Sequence, residues 1–491
     1  MPSDWHVQCL LERISALRAE ICRVQSKHHP YVDADTVYQS LLGVIQDCEE
    51  RLHESRHVFS GSEDADLARQ ALDESFRDTD RQIELVVDLF TSCDRVDSAR
   101  IPFEMIRCLR VATQQLTNAE CGVVLHLSPE FNYEIRSVRQ EFEQNDWLDF
   151  WLGDIRTDSE VVPRTVLIIV FPSYEVSSVP LHAVAAHELA HLLADQWASE
   201  CRKISRRLLT EAKHEYQTQR QAWMADRLIK VPGLRMRDVE NRLEQLLKRH
   251  EGIAHVWVLE LLTDLIAVRL VGPAFFAALE RITLGLGGGS DGHPPDDLRR
   301  QVIREYVADR MPEIYRDQTT WQRVLDHRDG SDTDNLFRRM ARDVCRKAIP
   351  ELHKLAERVP SIFSSAAAAA TNEPTVPITT QSSPTPAREL ADLLALIRAD
   401  LMELIPPSEL LRSKTASDIA TYFWLLFYST WHFRLDKPNY DRFLERYQWS
   451  AEPMRGEAAL GSLLLHSIQS LELSHRWETA LALHEERQDA P

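Results

Sequence analysis

Apolar residues recur every three or four positions along most of this chain, and that spacing admits few architectures. Residues three and four apart share one face of an α-helix, so each stripe predicts an amphipathic helix that packs against another. In residues 1–97, breaks at His29-Pro30 and Gly61-Ser62 divide the pattern into three such helices. Their stripes are Leu10, Ile14, Leu17, Ile21 and Val24; Tyr38, Leu41, Ile45, Cys48 and Leu52; and Leu72, Phe76, Ile83, Val86 and Phe90. We expect a small antiparallel helical bundle, with self-association or docking of a protein partner through these helices as the alternative.

The expected fold class is mostly α with a small β-sheet (α+β). Glycine accounts for only 15 of 491 residues, well below the usual ~7%, which disfavours turn-rich β architecture. Two short runs rich in β-branched residues, Cys121–Leu127 and Thr165–Phe171, predict strands of one sheet.

Charge and composition exclude several classes of partner. With 57 Lys and Arg against 76 Asp and Glu, the net charge is −19, so we expect no nucleic-acid binding and no attraction to acidic membranes. The apolar runs Ile253–Phe276 and Ile419–Phe433 are interrupted by charges or too short to span a bilayer, and we interpret both as buried core helices. Eight scattered cysteines without a C-x-x-C pair, and no signal-peptide pattern, predict a cytoplasmic protein with reduced thiols.

Four regions are predicted along the chain. Residues 1–97 form the helical bundle, and residues 98–358 form a domain with the predicted strands and further helices. Residues 359–387 are rich in Ser, Thr, Pro and Ala and predict a disordered linker. Residues 388–491 return to helical periodicity. Their aromatic cluster, which we interpret as a helical core, is Tyr422, Phe423, Trp424, Phe427, Tyr428, Trp431 and Phe433.

The segment Leu181–Trp197 carries the pattern H-E-x-x-H within an unbroken helical stretch. Residues four apart lie one turn above each other, so His187 and His191 can direct two imidazole nitrogens at one ion about 2 Å away. Glu188 then points toward the side on which a metal-activated water would lie. This spacing predicts a zinc site with one Zn²⁺ per chain.

A third protein ligand is needed, and its identity separates the classes of zinc enzyme. The metzincin pattern requires Gly and His where this chain has Ala194 and Trp197, so that class is excluded. Asp195 is two helical turns from His187, about 12 Å, which is too far for both to bind one ion. We therefore interpret Asp195 as a supporting or surface group.

Glu260 is the better candidate for the third ligand. It lies 69 positions after His191, and Asp264 follows one turn later in the same apolar run. Buried carboxylates are costly without partners. We expect Glu260 to bind the metal and Asp264 to accept the other N–H of a ligand histidine, His187. The alternative is a pair of structural carboxylates neutralised by Arg269. Reserve ligand candidates are Glu211, His214 and Glu215, on a helix that is polar all round.

After the glycine-rich stretch Leu284–Gly292, the sequence His293-Pro294-Pro295 precedes Arg299. A histidine next to two prolines is suited to donate a hydrogen bond to an oxyanion, although such a sequence also begins many ordinary helices.

Taken together, H-E-x-x-H, E-x-x-x-D and H-P-P-x-x-x-R resemble the gluzincin zinc peptidases, especially the branch that holds HtpX and the CAAX-prenyl endopeptidases. The resemblance covers roughly residues 165–300 and implies a zincin-like metallopeptidase domain flanked by helical domains. It implies that His187, His191 and Glu260 are zinc ligands, Glu188 is the general base and Asp264 orients a ligand. It also implies that His293 is an oxyanion donor and that Arg299 supports its helix or the substrate. Two departures are the lack of predicted transmembrane helices and Thr263 where those peptidases usually have alanine.

The expected function is hydrolysis of peptide bonds in a peptide or protein substrate, with strand Thr165–Phe171 as an edge on which an extended substrate could pair. The main alternative is a non-catalytic helical interaction protein with a structural or degenerate metal site. A further alternative is a peptidase kept latent by its flanking domains.

Overall fold

The computed structural model describes most of the chain and divides it into two compact units, Met1–Ser177 and Ser178–Pro491. The described residues are 4–25, 34–60, 65–94, 103–117, 121–128, 133–137, 165–172, 179–215, 236–283, 292–311, 320–321, 324, 336–361, 386–407 and 419–488. Most of the glycine-rich stretch and of the predicted linker 359–387 lies outside them. The prediction of a mostly helical chain is confirmed; the four predicted domain bounds stay predictions.

Four helices open the first unit: α1 (Asp4–Gln25), α2 (Ala34–Ser60), α3 (Ala65–Asp94) and α4 (Phe103–Thr117). The first three pack against one another. Residues of each predicted stripe lie in their shared interior, where Ile14, Ile21, Tyr38, Ile45 and Val86 are fully buried. Helix α4 packs on the first strand of a small sheet.

That sheet contains β1 (Cys121–Ser128), β2 (Glu134–Ser137) and β3 (Thr165–Pro172), in the order β1-β3-β2. β3 pairs in parallel with β1 and antiparallel with β2. The prediction that Thr165–Phe171 is an edge strand is therefore wrong. Hydrogen bonds to β2 occupy its second side between Leu167 and Val170, which leaves no free edge there for a substrate peptide.

The described residues of the second unit form helices and the turns that connect them, with no strand among them. In chain order it contains a 3₁₀ turn (Val179–Val184), α5 (Ala185–Ala194), a 3₁₀ turn (Asp195–Trp197), α6 (Ala198–Glu215), α7 (Met236–Val271), α8 (Ala274–Thr283), α9 (Asp296–Arg310), α10 (Leu336–Ala356), α11 (Pro386–Met402), α12 (Ile419–Leu435), α13 (Lys437–Arg446) and α14 (Pro453–Gln488). Helix α7 is central, because α5, α6, α9, α10 and α12 all pack against it. Its residues 260–268 are all buried.

The apolar run that contains Glu260 is divided into two helices. Helix α7 ends at Val271, and Gly272 adopts a left-handed conformation (φ 64°) that residues with a side chain rarely adopt. Pro273 follows, and α8 begins at Ala274. No single helix among the described residues is long and apolar enough to cross a membrane; Glu251–Val271 and Ala274–Arg281 meet that criterion only as a pair bent by 116°.

Helix α12 forms the core of the C-terminal part. Every residue from Ile419 to Phe433 is buried, so the interpretation of its aromatic cluster as core is confirmed. Six cysteines among the described residues are free, and four of them are buried; their redox state stays a prediction.

Candidate metal centre

The H-E-x-x-H residues lie on helix α5, which is largely buried. Its apolar residues Ala186, Leu189 and Ala190 are at most 1% exposed, so the helix is enclosed on most sides. One turn separates His187 from His191. The side chain of His187 is 5% exposed and that of His191 is 31% exposed. His187 therefore lies in the protein interior, and His191 lies at its boundary with solvent.

Helix α7 brings Glu260 to both histidines. Its Oε2 lies 3.6 Å from Nε2 of His187, and its Oε1 lies 3.7 Å from Nε2 of His191. One ligand atom from each of the three residues can be chosen so that all lie within 4.8 Å of one another. Ligand atoms placed 2.0–2.2 Å from one zinc ion in a tetrahedron are about 3.3–3.6 Å apart. The donor set therefore fits a divalent metal, and the ligand atoms, which lie within 4.8 Å of one another, would move closer by up to about 1.5 Å to bind it.

Asp264 supports His187 from the inner side. Nδ1 of His187 lies 3.0 Å from Oδ1 of Asp264, although the two are not aligned for a linear hydrogen bond. Phe275, on α8, stacks on the ring of His187 with centroids 5.8 Å apart and planes 9° apart. These contacts leave the Nε2 side of His187 directed at Glu260.

Arg299 neutralises Asp264, which is fully buried. Its Nε and one terminal nitrogen donate to the two carboxylate oxygens over 2.8 and 2.6 Å, a bidentate pair. The predicted alternative partner, Arg269, instead donates to the carbonyl of Val359 and, over 2.8 Å, to the hydroxyl of Tyr306. Asp264 is thus held between Arg299 and His187.

His293 lies beside the third ligand candidate. Its Nδ1 is 3.2 Å from Oε2 of Glu260, and its side chain is 61% exposed. It does not belong to the group whose ligand atoms converge. In this structure His293 therefore contacts Glu260 at the solvent-facing rim.

Charge interactions shift the pKa values of these groups. Burial disfavours the charged form of His187, but Asp264 and Glu260 outweigh it and raise the pKa of His187 to about 10. Burial opposes ionisation of Glu260 too, yet His187 and His293 hold its pKa well below the usual range. Burial and the charge of His187 lower the pKa of His191 to about 4. Without a metal, a proton on His187 thus supplies the positive charge between two carboxylates.

The remaining candidates lie outside this group. Glu188 is partly buried on α5, and Asp195 is exposed at the start of the following 3₁₀ turn. Glu211 is exposed on α6, while the side chains of His214 and Glu215 are outside the described part. Within the described ranges, His187, His191 and Glu260 are the one group of three or more His, Cys, Asp or Glu residues that could hold a metal.

Sequence reasoning assigned no role to two residues of the site. Phe275 carried no signal, because an aromatic residue in an apolar run is an ordinary core residue. Thr263 carried a weak one: it is a polar residue between the two carboxylates of E-x-x-x-D. Its hydroxyl lies 3.4 Å from Nδ1 of His191.

Comparisons with known proteins identified no relative of this chain. No protein-family model, no curated protein and no solved structure matches the chain. Geometry and chemistry of the described residues therefore carry the functional argument.

Proposed function

We propose that this chain is a zinc-dependent metallopeptidase of the gluzincin type, with a zincin-like domain around α5 and α7. The observation that supports the proposal is the convergence of His187, His191 and Glu260, with nitrogen-to-oxygen distances of 3.6 and 3.7 Å. Two imidazoles and one carboxylate form a ligand set of catalytic zinc sites in hydrolases. The order of the motifs along the chain is that of the gluzincins.

The accessibility of the site favours a catalytic over a structural metal. Structural zinc sites are closed by four protein ligands, whereas catalytic sites keep one position for water or substrate. Here three residues converge, and His191 and His293 face solvent in part. A substrate could reach the group from that side.

Bound zinc would polarise a carbonyl and lower the pKa of an attacking water. Glu188 follows His187 directly on α5 and acts as general base, taking a proton from that water and passing it to the leaving amine. Asp264 and Arg299 hold His187 in place from the interior. His293, at the rim, donates a hydrogen bond to the substrate oxygen on which negative charge develops.

Metal content and peptidase activity of single variants test the proposal. We expect about one zinc per purified wild-type chain, and cleavage of an unfolded protein substrate that a chelator stops and added zinc restores. Glu188→Gln should keep the metal and lose about 10²–10⁴-fold in turnover, since general-base catalysis is worth that much. Glu260→Ala should lose both metal and activity.

Glu211→Gln is the matched control, because it makes the same chemical change at an exposed glutamate outside the ligand group; it should match wild type. Undiminished turnover in Glu188→Gln would remove the assigned base. A wild-type chain that takes up no zinc would leave the helical interaction protein as the better explanation.

A further inference from the structure

Thr263 is a fully buried polar residue on α7, immediately before Asp264. Its neighbours Leu261, Leu262 and Leu265 are completely buried apolar residues. The Thr263 hydroxyl lies 3.0 Å from the carbonyl oxygen of Leu259 and 3.4 Å from Nδ1 of His191. A buried hydroxyl needs partners to offset its desolvation, and these two atoms supply them.

The proton count sets the direction of each hydrogen bond. A hydroxyl has one proton to donate and can also accept. The Leu259 carbonyl can only accept, so the Thr263 proton goes to it, and the hydroxyl presents a lone pair to His191. Nδ1 of His191 must then carry the hydrogen, which leaves the lone pair of Nε2 facing Glu260 Oε1 at 3.7 Å. That tautomer is the one a metal needs at Nε2.

We propose that Thr263 is a positioning residue that fixes the tautomer and ring orientation of His191 for metal binding. The inference rests on the metal-binding part of the proposed function. Two adjacent residues of α7 would then serve the two histidines, Asp264 for His187 and Thr263 for His191. The need is greater at His191, because its side chain is 31% exposed and packing alone encloses it less than it encloses His187. His187 is buried and stacked on Phe275.

Substitutions that separate the hydroxyl from the shape of the side chain test the role of Thr263. Thr263→Val removes the hydroxyl at nearly constant volume, and Thr263→Ser keeps it. Removing a group that orients a ligand typically weakens metal binding by 10–100-fold; because this contact is long, we expect about 10-fold for Thr263→Val. The zinc affinity is measured by competition with a chromophoric chelator. The Co²⁺-substituted chain reports the coordination of His191 through its visible absorption bands.

Thr430→Val is the matched control, because Thr430 is also buried and donates to a carbonyl four residues earlier, Leu426, over 2.8 Å. It should leave zinc affinity and the Co²⁺ spectrum unchanged. Thr263→Ser should recover most of the affinity lost in Thr263→Val. Should the Thr263→Val variant not fold, the Thr263→Ala variant, which lacks the same hydroxyl, is measured in its place.

Wild-type affinity and an unchanged Co²⁺ spectrum in Thr263→Val would overturn the inference while leaving the proposed function intact. A serine variant as weak as the valine variant would overturn it too, since packing rather than the hydroxyl would then be responsible. A wild-type chain that binds neither Zn²⁺ nor Co²⁺ would refute the proposed function and this inference together.

Discussion

Arg299→Met should destabilise the second unit because it leaves the carboxylate of Asp264 buried beside a single counterion. Asp264 is fully buried and Arg299 is 5% exposed, so water cannot easily replace the guanidinium. Removing one partner of a buried ion pair typically costs 3–5 kcal/mol. His187, 3.0 Å away, retains part of the compensation, so we expect a loss near the lower end, about 3 kcal/mol.

Urea unfolding at pH 7 with chelator, followed by circular dichroism, measures this loss. It should lower the midpoint by up to about 1 M, because the urea m-value of a unit this large lies at or above the top of the range of about 1–3 kcal/mol/M that small proteins show. Arg300→Met is the control on the same helix: Arg300 is as buried as Arg299, but its partner Glu280 is 26% exposed and can be rehydrated. A loss in Arg299→Met no larger than that in Arg300→Met would refute the argument.

The double variant Arg299→Met with Asp264→Leu separates stability from metal binding. Replacing a buried ion pair by apolar residues of similar size is often neutral or stabilising, so most of the lost stability should return. Zinc affinity should still fall about 10–100-fold, because His187 loses the carboxylate that orients it. A double variant with wild-type zinc affinity would show that Asp264 does not orient His187.

Two further predictions concern pH and glycine. In the metal-free chain the pKa of His187 is raised to about 10. The stabilising contribution of His187 is therefore complete below its unfolded pKa of about 6.5 and is lost as the pH rises toward 10. The urea midpoint should fall from pH 6 through pH 8 to pH 10, and an equal fall of the midpoint in a His187→Phe variant would contradict this. Gly456→Ala should lower the free energy of unfolding by about 1–3 kcal/mol, because the new Cβ would lie 2.5 Å from Cδ2 of Leu444. Gly252→Ala, on exposed helix with nothing within 4 Å of the new Cβ, should raise it by about 0.5–1 kcal/mol; equal effects of the two substitutions in thermal or urea unfolding would refute the packing argument.

Local patterns were enough to predict most helices. The stripe through Leu10, Ile14 and Ile21 and the aromatic run of α12 are buried as their spacing indicated. Strand order could not be predicted in the same way. β3 is central because the four-residue strand β2 pairs with its second side, and Glu134–Ser137 is too short to give a clear alternating pattern. Which neighbour a strand acquires depends on the path of the chain, and the sequence of that strand does not encode it.

Spacing along one helix determined the first half of the candidate site. His187 and His191 lie on one face because a helix turns once every 3.6 residues, and that follows from the sequence alone. The tertiary structure decided the rest. Packing of α7 on α5 places Glu260 beside both histidines, and packing of α8 and α9 adds Phe275 and Arg299. The distances between these side chains depend on how separate helices pack against one another. The helices are tens of residues apart in the sequence, so the spacing along any one of them does not determine these distances.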